Sequence, residues 1–221
     1  MTERWEIIAN QGFKFIGKMN ASISHEIKNV LAIINENAGL LEDLAVMTEK
    51  GMTIDVERLK ALARKTRKQV KRADTIITKM NDFAHSVDES KEKVNIGEIL
   101  VFMAALSERL AAMRGVKIRV VPPERPITIT TNPFLLENII WLCLDFAMDV
   151  AGKGKTVELD TEEAGKSINI RFAELKGLAE TADPMFPADI ENALLIALGG
   201  RIVTDQDAGI MVLALPKEIP R

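Results

Sequence analysis

Between residues 3 and 49 there is no proline, and apolar residues recur at Ile16, Met19, Ile23, Ile27, Val30, Ile34, Leu41 and Leu44. The steps are three, four and seven, which is the spacing of one face of an α-helix. The spacing predicts a single helix from residue 3 to about 49. Lys50-Gly51 closes it, because glycine tolerates the left-handed conformation of a helix end. Thr53 is the expected cap of a second helix, with Asp55 and Glu57 favourable in its first turn.

The second helix has the more regular pattern. Val56, Leu59, Ala63, Thr66, Val70, Ala73, Ile77, Met80 and Ala84 alternate steps of three and four. Such a heptad seam needs a partner. Two helices joined by a tight turn make an antiparallel hairpin, and one hairpin cannot bury both of its apolar faces. Pairing two hairpins into a four-helix bundle can, so residues 1–90 are expected to form a homodimer. A charge at Leu59 or Ile77 is expected to split it.

Residues 88–94 read as a polar linker. Beyond them the pattern turns to mixed α/β over 91–221. A helix is predicted at 96–113, ending at Gly115, then strands at 116–121 and 127–130. Phe134 to Val150 is a strongly apolar helix. Residues 156–160 and 167–172 form a hairpin around Glu163-Ala164-Gly165. A helix at 190–198 stops at Gly199-Gly200, and 201–204 with 209–215 make a last hairpin. The fold class is therefore α+β, a dimerising helical hairpin followed by a small α/β sandwich.

Bulk composition removes several function classes. The 221 residues carry a net charge of −3, which gives no basic field for nucleic acid. Cys143 is the one cysteine and lies in an apolar run, which suits a buried thiol in a reducing compartment. No apolar stretch reaches the roughly 18 residues that a membrane span needs. The N-terminus lacks signal-peptide character. A cytoplasmic protein without membrane contact is expected. No Cys/His cluster suggests zinc, and no Ser-His-Asp arrangement is evident.

Candidate chemistry concentrates on residues 22–31, Ser-Ile-Ser-His-Glu-Ile-Lys-Asn-Val-Leu, which hold one of two histidines. At about 100° per residue, Ile23, Ile27, Val30 and Ile34 lie roughly 140–180° from His25. The imidazole is therefore expected in water, with Ser22, Asn29, Ala32 and Glu36 on its face. A neutral imidazole is a nucleophile near pH 7. Glu26 is the candidate proton acceptor that would leave the other ring nitrogen basic. An exposed histidine on a helix is, by itself, usually without function. The second, His85, is expected at the surface without a partner.

His25-Glu26-Ile27-Lys28-Asn29, followed by an apolar helix and an antiparallel partner, resembles the phosphoacceptor box of two-component histidine kinases. Residues 1–90 resemble their dimerisation and histidine-phosphotransfer domain. Residues 94–121, and the ending Leu198-Gly-Gly-Arg-Ile202 with 209–216, resemble parts of their ATP-binding domain. The resemblance implies His25 as phosphoacceptor and Asn29 as the residue that orients water for dephosphorylating a receiver. It also locates the ATP site, and there the chain departs from the pattern. The metal-binding asparagines fall on Phe146 and Leu142, which cannot ligate a hard cation. Asn138 and Asp145 sit off register. The adenine-binding aspartate falls on Ala173 and the first glycine of its motif on Leu175, with Gly177 alone preserved. Little chain remains before residue 188 for a nucleotide lid. Trp141 and Phe146 are expected to fill the space.

The implied function is that of a relay histidine phosphotransferase, a histidine phosphotransfer protein of a two-component phosphorelay. It exchanges phosphoryl groups between His25 and receiver-domain aspartates of response regulators. Mg2+ is expected from the receiver, and ATP is not expected. The competing readings are a divergent histidine kinase that still binds ATP, and a non-catalytic pseudokinase that binds another kinase. Lys60, Arg64, Lys65, Arg67, Lys68, Lys71 and Arg72 form a basic run. It is read as a solvated face partly paired with Glu36, Glu42 and Asp43 rather than as a docking surface.

Overall fold

The structure is a computed structural model and describes residues 2–179 and 186–219. Two helices come first, α1 over Thr2–Glu49 and α2 over Val56–His85. They are followed by β1 (Glu92–Asn95), α3 (Ile96–Arg114), β2 (Lys117–Val120), β3 (Thr128–Thr131) and α4 (Pro133–Ala151). Then come β4 (Thr156–Ala164), β5 (Ser167–Ala173), α5 (Asp189–Leu198), β6 (Arg201–Asp205) and β7 (Ile210–Pro216). Among the described residues no helix is long and apolar enough to cross a membrane.

The chain forms two compact units, residues 20–84 and residues 1–19 with 85–221. These limits differ from a division at residue 90. The first turns of α1 are apolar at Ile8, Phe15 and Met19, and they find their cover in the α/β unit.

In the helical unit, Ile23, Val30, Asn37 and Leu44 are buried along α1 at seven-residue steps. On α2, Leu62 is buried and Leu59, Thr66, Gln69, Ala73 and Ile76 are half-buried. The seam read from the sequence is thus split. Leu59, Thr66 and Ala73 are covered, whereas Val56 (59% exposed), Val70 (54%), Ile77 (48%), Ala63 and Ala84 face solvent at heptad spacing. The helix carries two apolar stripes side by side, and one of them has no cover among the described residues. Asp55, rather than Thr53, caps α2, its Oδ1 accepting the Glu57 N–H at 2.9 Å.

In the α/β unit, five strands form a mixed sheet in the order β2-β4-β5-β7-β6. β2 and β4 are parallel and the other pairs antiparallel. Alternation puts Val157, Leu159, Ile168, Ile170, Phe172, Met211 and Leu213 on the inner face, fully buried. Leu136, Ile139, Ile140, Cys143, Leu144 and Ala147 of α4 are equally buried, so this helix is the centre of the core. Asn132 caps α4 by accepting the Leu135 N–H at 2.8 Å, with Pro133 in its first turn. Gly115 and Gly199 close α3 and α5 with φ of 68° and 67°.

Three details correct the expected elements. The polar segment 88–94 ends in a strand, β1, which pairs with β3 in a separate two-stranded sheet. The β4–β5 strands run to Ala164↔Ser167, so only Gly165 and Lys166 make the turn. His85 is exposed yet has a partner, Asp88 Oδ2 at 2.7 Å from its Nδ1.

Candidate functional site

His25 stands exposed on α1, on the side opposite the buried line through Ile23 and Val30. Helical spacing sets it roughly 150° round from that line. The exposed apolar positions Leu31, Ala38, Leu41 and Ala45 lie on another side of the helix, so the imidazole stays clear of both apolar faces. Ser22 is buried, and Ala32 and Glu36 are exposed.

The group that meets the ring is Asn29. Its Nδ2 lies 3.2 Å from His25 Nδ1, one helical turn away. Glu26 is turned elsewhere. Its Oε1 receives a hydrogen bond from the Arg72 guanidinium on α2, and the two form an ion pair. Of the three residues singled out, the structure brings Asn29 to His25 and joins Glu26 to Arg72 instead. The sequence places Arg72 in the basic run of α2 without showing its link to Glu26. Its spacing from Glu26 carries no signal until the two helices are paired.

The basic run of α2 also differs from expectation. Lys60 and Arg64 pair with Glu57 on the same helix, at 2.8 and 3.8 Å. Among the described residues, Glu36, Glu42 and Asp43 enter no ion pair, and neither do Lys65, Arg67, Lys68 and Lys71. No group of three or more His, Cys, Asp or Glu side chains among the described residues could hold a metal.

The α/β unit shows what stands at the positions matched to a nucleotide site. Trp141 is buried beneath the start of α1. Its ring centroid is 5.6 Å from that of Phe15, and Lys18 Nζ stands 4.7 Å above it. Beside it Gln11 Nε2 donates to Asn138 Oδ1 at 3.3 Å, both buried. Phe146 is half-buried and stacks on Phe186, with ring centroids 4.1 Å apart. Asp145 is held by Arg114 at 2.8 Å, together with Asp149 at 3.1 Å.

After β5 the chain turns inward. Leu175 and Leu178 are buried, and Leu178 N–H donates to Leu175 C=O at 2.9 Å. Gly177 is the one glycine of the expected motif, and it serves packing. A Cβ on it would come within 2.4 Å of the Val150 carbonyl oxygen. The segment expected to be too short for a lid lies partly outside the described residues, at 180–185. An open cavity of about 560 Å3 lies at the sheet edge, lined by Lys117, Arg119, Lys155, Glu174 and Lys176 among others. No aromatic side chain lines it. Arg119 pairs with Glu158, and Lys176 with Glu174 at 3.6 Å. Burial, and next the Glu191 carboxylate, push the Cys143 thiol well above its ordinary range, so it is no nucleophile.

No family model and no curated protein matches the chain. Among solved structures it is similar to the Acinetobacter baumannii histidine kinase AdeS, with 13% identity, 87% of this chain and 98% of that one, and a TM-score of 0.45. It is similar to the histidine kinase ThkA, solved in complex with the response regulator protein TrrA, with 15% identity, 93% of this chain, 63% of that one and 0.45. A histidine kinase from Burkholderia phymatum gives 15%, 90%, 95% and 0.43. At these identities and TM-scores the likenesses establish neither family nor activity.

Proposed function

We propose that this protein is a histidine phosphotransfer protein of a two-component relay. His25 takes a phosphoryl group from a receiver-domain aspartate and passes it to another. The observation that carries this reading is the exposed imidazole of His25, clear of both apolar faces, with an amide on one ring nitrogen. A neutral ring nitrogen attacks phosphorus, the aspartyl P–O bond breaks, and the aspartate leaves as a carboxylate. The reverse step returns the group, so no external acid, base or cofactor is consumed. The receiver supplies its own Mg2+. Asn29 is also the side chain next to the ring that can hold a water for receiver dephosphorylation.

The residues matched to an ATP site do not fit a magnesium nucleotide. Phe146 offers no oxygen to a cation, and Leu175, Leu178 and Gly177 fill the turn where a base would need room. The proposed transfer therefore runs without ATP. The Glu26–Arg72 pair between α1 and α2 supports an antiparallel hairpin, and the open stripe through Val56, Val70 and Ile77 supports its pairing with a second copy. Such a dimer would work in the cytoplasm, where receivers are found.

The test mixes the full chain with labelled phosphorylated receivers and follows label onto the protein. Acid-labile, base-stable label on His25 that disappears in His25→Ala is expected. Label transfer that persists in His25→Ala would refute the assignment. Calorimetry with Mg-ATP is expected to give no binding heat, and tight binding would favour an ATP-dependent kinase instead.

A further inference from the structure

We infer that Asn29, and not Glu26, is the positioning residue that decides which nitrogen of His25 is nucleophilic. The inference rests on His25 being the reacting group. A neutral imidazole has one N–H and one lone pair, and the hydrogen bond made by one nitrogen fixes the role of the other. Attack through Nε2 therefore requires the proton on Nδ1, with an acceptor there to hold it.

Glu26 would be the natural acceptor by sequence, but its carboxylate is engaged across the helices by Arg72. Asn29 occupies the place next to Nδ1, at 3.2 Å. A side-chain amide carries a donor and an acceptor on opposite ends of one plane. With Nδ2 toward the ring, the amide donates to Nδ1, the ring proton sits on Nε2, and that nitrogen cannot attack. Half a turn of the amide puts Oδ1 in the same place. It then accepts Nδ1–H and leaves the Nε2 lone pair facing solvent. The N–P bond forms at Nε2, the aspartyl P–O bond breaks, and Nδ1 keeps its proton throughout. Asn29 thus holds His25 in either a closed or an open tautomer, whereas Arg72 keeps Glu26 from competing.

The measurement is the tautomer of His25 by nitrogen NMR on histidine-labelled protein, alongside transfer rates from a phosphorylated receiver. Asn29→Asp can only accept, so it is expected to shift the ring to Nδ1–H and to keep transfer. Asn29→Ala is expected to change the tautomer ratio and to slow transfer about a hundredfold. Glu26→Gln should leave the ratio unchanged and the rate within about twofold, since Arg72 already holds that side chain away. The inference is overturned if Asn29→Ala keeps the wild-type ratio, or if Glu26→Gln moves it. A protein that accepts no label would defeat the relay reading, whereas label on His25 with a tautomer indifferent to Asn29 would defeat this inference alone.

Discussion

Phe15 lies against Trp141 with ring centroids 5.6 Å apart, and a helix that reads as one unbroken stalk is thereby committed to two partners. The same Phe15 ring sits 5.8 Å from Phe134, and Gly12 lets α1 approach, since a Cβ there would meet Phe134 at 3.2 Å. The start of α1 is part of the core of the α/β unit.

Phe15→Ala should accordingly lower the stability of that unit by about 3–5 kcal/mol, as expected for emptying a fully buried aromatic site. The check is thermal or urea unfolding, together with Trp141 emission, which should move to longer wavelength as water reaches the ring. An unchanged midpoint would show that the first turns of α1 are dispensable.

Ile77→Glu should leave the chain folded but monomeric. Ile77 is 48% exposed on the uncovered stripe of α2, so the charge costs little within one chain and much between two. Leu59→Glu differs, because Leu59 is half-buried against the helical unit and its charge should also destabilise the fold. Sedimentation equilibrium separates the two outcomes.

Gly177→Ala should be destabilising by roughly 1–3 kcal/mol, because the added methyl overlaps a backbone carbonyl that cannot move freely. The phenotype expected is a lower unfolding midpoint with the proposed phosphotransfer unaffected. A selective loss of nucleotide affinity with stability intact would instead assign Gly177 to a ligand site.

Cys143 should resist thiol reagents in the native protein and react on unfolding. Its thiol is pushed up by burial first and by Glu191 second. The unfolded chain releases this proton above about pH 8.5, whereas the folded chain keeps it. The folded state then binds more protons, so this contribution to stability is complete below that pH and declines as pH rises. Chemical denaturation between pH 7 and 10, compared with Cys143→Ala, measures it.

Much of this fold was legible because period and punctuation coincide. Gly115 and Gly199 mark helix ends that the structure keeps, and alternation located β5 and β7 almost to the residue. What escaped has a common cause. Periodicity shows that a face is covered without showing by what. Ile8, Phe15, Met19, Ile23 and Val30 continue one stripe, so nothing local marks the change of partner between residues 19 and 20. On α2, Leu62, Gln69 and Ile76 share the covered side with alternate members of the predicted seam, because two stripes of similar spacing overlap. β1 is short and polar and exists only by pairing with β3. At the site, exposure of His25 followed from the helix, but the attachment of Glu26 to Arg72 is a long-range event that spacing cannot supply.

The leucine-filled turn at 175–178 has an evolutionary corollary. For a cofactor cradle to arise there, drift would have to evacuate Leu175 and Leu178 together, each at a core-truncation penalty of about 2–5 kcal/mol. Oxygen ligands would also have to appear in register on α4, where Asn138 and Asp145 are not, before any benefit accrued. Intermediates along that route would be both unstable and inert. Sequence change at this turn is therefore expected to conserve the apolar filling.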